Sequence, residues 1–279
     1  MRVYPIVIIC FLILHSGGCA KPKEVPIWEK VKIGDLAPTT GKARAQAHFL
    51  NTIGFDVHIF EVPAENTDKL VEVWESLYIR PVRFYSKYAF QANMFSVGYG
   101  DTRMWSTIND AITAAGGLHI IKASLLLAPD NAQDVTITAL RGKQPLNYVS
   151  TQGSHEQVSI GPGILSLRIK ATTVPGARDT CSMAAAPAFS LPMAHSIPPL
   201  AKRIRAQEIE FTPAGFGVRM SPKDLVVLAP SMYISDDTML SGLFFSNPQG
   251  GPFTEPDQAV LPKQKPAIRV FIIVCTGVK

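Results

Sequence analysis

Long apolar runs are missing from most of this sequence. The longest, Ile6–Leu14, holds nine residues. A helix that crosses a hydrocarbon core about 30 Å thick needs about 20. No membrane-spanning helix is therefore expected. Cysteine is also scarce, with four in 279 residues. There is no C-x-x-C and no H-x-x-x-H, so a zinc site has no local signature. No G-x-S-x-G elbow, complete G-x-G-x-x-G loop or EF-hand loop occurs. Charge of one sign is never concentrated: charged residues make up 18%, with a formal net charge of +5. The tight basic cluster is Lys202, Arg203 and Arg205. It reads as a solvated loop rather than an anionic-lipid or nucleic-acid patch. No cofactor, no metal site and no nucleic-acid partner are expected.

What is present begins at the N-terminus. Arg2 supplies a positive charge, Ile6–Leu14 an apolar run, and Ser16, Gly17 and Gly18 the small residues that precede a cleavage site. Residues 1–18 read as a signal peptide. The Gly18-Cys19 junction resembles the lipobox of bacterial lipoproteins, with Ser16 where that family usually has Leu. The resemblance implies that Cys19 is acylated and becomes the new N-terminus. The diacylglyceryl group of that family gives durable membrane attachment, which one chain does not. Ala20 after the cysteine, not Asp, implies the periplasmic face of the outer membrane. Plain secretion with cleavage after Ala20 stays open, because Gly18-Cys19-Ala20 also fits a small-x-small site.

If Cys19 is lipidated, Cys181 and Cys275 remain beyond the signal. In an oxidising compartment such a pair invites a disulfide. Two buried thiols are the alternative.

Residues 19–47 mix Pro, Lys, Glu and Gly without periodicity and read as a tether. The body divides by pattern into 48–130 and 131–279, as two subdomains or one continuous domain. Phe55, Val57 and Ile59 alternate with Asp56 and His58, which predicts a half-buried strand ended by Pro63. Asn66 or Thr67 is expected to cap a helix with Leu70, Val73, Trp74 and Leu77 on one face. Asn93–Tyr99 predicts a strand. Asp101 or Thr102 caps a helix burying Trp105, Ile108, Ile112 and Ala115, stopped by Gly116-Gly117. Leu118–Leu127 is an apolar strand. The expectation is an α+β fold: a β-α-β-α-β layer followed by a largely antiparallel β-rich region. In that region Val135–Ala139, Leu165–Ile169, Ile209–Phe211 and Phe216–Met220 alternate. Leu225–Leu228 and Leu240–Phe245 are short apolar runs. Ile268–Val274, apolar on both sides, is expected to be central. Residues 174–201 and 247–266, rich in proline, read as long irregular loops.

Candidate chemistry is sparse. Gly98 and Gly100 sit where a phosphate loop would need them, yet a turn glycine and a helix cap explain the segment. His58 and His119 fall on strands that could be neighbours in one sheet. His48, His155 and His195 complete the histidines beyond the signal. Ser154-His155-Glu156 holds the residue types of a hydrolase triad, but adjacent residues cannot converge as one, and a turn is expected. Asp236-Asp237, near Asp224, reads as a hairpin turn rather than a calcium site. Asp179, Glu255 and Asp257 could pair as acid and base. Trp74 and Trp105 read as core anchors rather than sugar platforms. No catalytic residues are assigned.

Phe60-Glu61-Val62-Pro63, Trp74, Asn93-x-Phe95-x-Val97-Gly98 and the closing Pro266–Cys275 segment together resemble uncharacterised secreted or lipidated proteins of planctomycete-type bacteria. That resemblance implies an envelope location and no particular activity. The expected role is an envelope lipoprotein that binds, scaffolds or assembles, held by its lipid and meeting an envelope protein partner. A hydrolase acting on envelope polymers and a small-ligand carrier are the alternatives. A convergent Ser/His/acid pocket would favour the first. An enclosed apolar cavity would favour the second. An apolar-rimmed surface or open sheet edge would favour partner binding.

Overall fold

The alternation at 55–59 belongs to a longer strand, β1 (Ile53–Pro63), whose odd positions face one apolar core and whose Phe60 and Val62 face another. The computed structural model describes residues 52–191, 208–247, 252–254 and 264–279. These fall within one unit, 50–279. The signal, Cys19, the tether and His48 lie outside the described residues. So do His195, the 202–205 cluster, Glu255 and Asp257.

After β1 come a 3-10 turn (Ala64–Leu70), α1 (Val71–Glu75), β2 (Arg83–Phe84), α2 (Lys87–Ala92) and β3 (Phe95–Asp101). Next are α3 (Trp105–Ala114), β4 (Leu118–Leu127), β5 (Ala132–Leu140), β6 (Gln144–Val149) and β7 (His155–Ile160). The remainder comprises β8 (Gly163–Thr173), β9 (Cys181–Ser190), β10 (Ile209–Glu210), β11 (Phe216–Met220) and β12 (Asp224–Pro230). It ends with α4 (Leu240–Phe245), β13 (Ser246–Asn247) and β14 (Ala267–Val278). The fold is α+β and largely antiparallel.

One sheet has the order β3-β12-β14-β1-β4, with β13 on the end of β14. Its strands come from both 48–130 and 131–279. The second runs β2-β11-β9-β8-β5, with β10 on β9. β6 and β7 form a hairpin. Phe55, Val57, Phe271 and Ile273 of the first sheet pack against Leu165, Leu167, Met183, Phe216 and Val218 of the second. On the first sheet's other face, Val227, Val270 and Ile272 meet Val73 of α1 and Ile108 and Ile112 of α3. β12 and β14 are thus covered on both faces, which is why they read as continuous apolar runs.

Several local expectations need correction. The helix after Pro63 starts earlier than Asn66, and neither Asn66 nor Thr67 caps it. Thr67 donates to the Ala64 carbonyl at 2.7 Å, and Asn66 donates to the Ala115 carbonyl at 2.9 Å, closing the end of α3 instead. Gly116, at φ +76°, takes the left-handed turn there, with Gly117 N–H bonding the Ile112 carbonyl. The run Leu240–Phe245, which the sequence leaves unassigned, is helix α4. All six of its residues are buried, and an apolar run that short has no periodicity to separate helix from strand.

The supposed loop 174–201 contains β9, a central strand of the second sheet. Pro187 is tolerated within it because its carbonyl accepts from Phe211 N–H at 2.8 Å, so its nitrogen faces the same side. On that side β11 has ended at Ala185 and β10 begins at Ala188. The missing N–H falls in the gap. α2 was not expected either. Ser86 caps it, accepting from Ala89 N–H at 3.2 Å.

Candidate functional site

The site is built on the outer edge of β3. This strand pairs with β12 on one side and, on the other, only with Tyr78, opposite Tyr99, among the described residues. Tyr78 and Tyr99 exchange two backbone hydrogen bonds, of 2.8 and 2.7 Å. Val82 N–H then bonds the Ile79 carbonyl at 3.0 Å, and that turn carries the chain off the edge. Beyond it lies a groove of about 400 Å³. Its floor is Phe95–Gly98, Trp74 and Leu77 form one wall, and Phe84 and Phe90 form the other.

Gly98 makes the narrow end possible. A Cβ there would meet Leu77 side-chain atoms at 2.8 Å, so only glycine admits the end of α1 so close to the strand. Gly98 and Gly100 are therefore strand positions, not a turn or a phosphate loop. Tyr78 (59% exposed) and Ile79 (61%) form an apolar rim, and Lys87 stands at the mouth. The polar side chains lining the groove are Tyr78, Lys87, Gln91, Ser96 and Ser231, beside the indole of Trp74. No histidine or carboxylate joins them.

A second cleft, about 630 Å³ and more polar, lies between the end of β5 and α4. Its Arg269 is turned to Glu61, at 3.6 Å, and to the Ser246 carbonyl.

The remaining candidate residues fall into separate places. His58 and His119, on β1 and β4, do come together: Nδ1 of His58 lies 3.2 Å from Nε2 of His119. Trp105 tilts over His58 with ring centres 4.8 Å apart. Lys122 bonds Asp56 at 2.8 Å beside them. Burial, then the charges of His119 and Lys122, holds His58 below the usual histidine range. Among the described residues, no cluster of three or more His, Cys, Asp or Glu side chains could hold a metal ion.

Ser154 and Glu156 hydrogen-bond at 3.3 Å, and Tyr148 donates to Glu156 at 2.7 Å, which pushes the phenol up to about 12. His155 sits between them at the start of β7, where alternation sends its side chain to the opposite face. Asp236 accepts from the N–H and hydroxyl of Thr238, a turn contact. Asp179 lies in the β8–β9 connection at φ 54°. Cys181 and Cys275 stand on facing sheets, fully buried, as free thiols. Their proximity lowers Cys181 and, with burial, pushes Cys275 well up.

Sequence reasoning missed Tyr78, Ile79, Lys87 and Val97 as site residues. A signal was there: residues 76–100 hold four of the seven tyrosines, three cations and no acid. No protein-family model matches the chain, and no curated protein matches it. What the structure defines is a mixed fold with two antiparallel sheets and an apolar groove at one sheet edge.

Proposed function

We propose that the chain is an exported lipoprotein, anchored through Cys19 at the periplasmic face of the outer membrane. There it binds or helps assemble an envelope partner, which docks in the groove along β3. The observation that carries the binding role is the groove itself, with its apolar walls and exposed Tyr78–Ile79 rim at an open sheet edge. It lies in the segment expected to form the β-α-β-α-β layer. Residues 19–47 give the body reach from the membrane. A small-ligand carrier is the second reading, favoured by a volume within the range of ligand pockets.

Anchoring is tested on the full-length chain expressed in a diderm bacterium. A mature N-terminal cysteine with added acyl mass and detergent-phase partitioning is expected, and Cys19→Ala should abolish both. A product beginning at Lys21 with no added mass would overturn the anchor. The groove is tested with the apolar anion 8-anilinonaphthalene-1-sulfonate. One molecule should bind and quench Trp74 by energy transfer, with about tenfold weaker binding in Ile79→Asp, a loss of about 1.4 kcal/mol. Equal binding by that variant would contradict the assignment.

A further inference from the structure

We infer that the groove receives an extended peptide segment of a partner protein. The segment adds to the outer edge of β3 as an antiparallel strand and carries acidic residues beside an apolar centre. The inference rests on the groove being the binding site.

Three observations select such an occupant. The first is the direction of the backbone. Tyr99 exchanges its hydrogen bonds with Tyr78, on the outer side, while Met94, of opposite parity, accepts from Ser231 on the β12 side. Alternation along an antiparallel strand therefore turns the N–H and C=O of Val97 outward as well. Among the described residues neither has a partner across that edge. An apolar slot with a free donor and acceptor suits a peptide backbone better than an acyl chain.

The second is the shape of the slot. With Tyr78 opposite Tyr99, a continued strand would set residue 80 opposite Val97. The turn at Ile79–Val82 removes the chain from that place. The groove is the strand position so vacated, and Leu77 and Phe90 are among its apolar lining.

The third is charge. Residues 76–100 carry Arg80, Arg83 and Lys87, all exposed, with no Asp or Glu among them; Glu75 and Asp101 border the stretch, and Asp101 is neutralised by Arg103 at 2.6 Å. A partner segment with acids flanking its apolar centre meets complementary potential there, which raises its association rate and sets its register.

The test uses the purified full chain carrying Cys19→Ala and a capped, fluorescent peptide, Asp-Glu-Val-Thr-Val-Thr-Val-Glu-Asp. Saturable binding is expected by anisotropy. N-methylation at one of two successive central residues should abolish it, and at the other should leave it, as a strand ladder requires. Arg80→Glu with Lys87→Glu should weaken the acidic peptide at least tenfold and improve a Lys-flanked counterpart. Both side chains are exposed, and an unchanged melting temperature will confirm that the fold is intact. Several results would overturn the inference: no peptide binding, indifference to both N-methylations, or no response to charge reversal. Displacement of the sulfonate dye by dodecanoate but not by peptide would assign the groove to a lipid. Closure of the groove by a concentration-dependent dimer would assign it to a second copy. If the dye binds and the peptide does not, this inference fails while the groove stands as a binding site.

Discussion

Cys181 and Cys275 place two free, fully buried thiols beside one another between the two facing sheets. Because both are fully buried in the fold, a disulfide donor meets them before the sheets close: one thiol attacks the donor, the other displaces the donor from the mixed disulfide, and the donor leaves as two thiols. The bond closes a loop of about 95 residues, stabilising the fold by about 4–5 kcal/mol in the chain-entropy account. Protein recovered from an oxidising compartment should be 2 Da lighter than the reduced chain, show no titratable thiol in denaturant and melt higher. Two titratable thiols in protein taken from the periplasm would contradict this. His58 makes a different prediction. Its depressed affinity means that the unfolded chain takes up a proton near pH 6.5 before the folded one does. Stability therefore falls as pH drops below about 6.5 and levels off below the folded value. Asp56, held low by Lys122 and Ser124 against burial, acts only below about pH 4. His58→Gln should flatten the fall in melting temperature between about pH 7 and 5, and an unchanged slope would refute the assignment.

Among the elements, α4 shows what packing decides and pattern does not. Phe244 and Phe245 stack on Phe95 and Phe271, tying the helix to β3 and β14 beside the groove. Phe244→Ala should cost about 3–5 kcal/mol in urea unfolding. A loss under about 1 kcal/mol would mean that the aromatic cluster is not the anchor it appears in the packing. Elements whose period matched their exposure were legible beforehand: α3, β8 and β11 each show one buried face, and β1 does so over Phe55–Ile59 before both its faces are covered. β9 was not, because Pro187 argued against a strand and its compensation lies in a break between two other strands. The β6–β7 hairpin was hidden by turn residues at Thr151–Ser154, which draw attention from the strands they join. α2 is six residues long, too short for its period to show.

At the scale of the whole molecule, helices cover one face of the first sheet and the second sheet covers the other. That arrangement was half legible. The doubly apolar run Ile268–Val274 marked β14 as central, but no feature of composition says which strand ends the sheet. β4 ends it on one side, bulged near Ile120 and carrying Lys122, two devices that discourage casual edge pairing. β3 ends it on the other, open beyond Tyr78. The candidate site was least legible of all, because it consists of backbone groups freed by a turn rather than of reactive side chains. Hydrogen exchange at the Val97 amide tests the account most directly. It should exchange at least tenfold faster than the amides of Gly98 and Gly100, which face β12, and slow at least tenfold when the acidic peptide is added. A Val97 amide as protected as its neighbours in the free protein would mean that the edge is already covered, and the docking site proposed here would not exist.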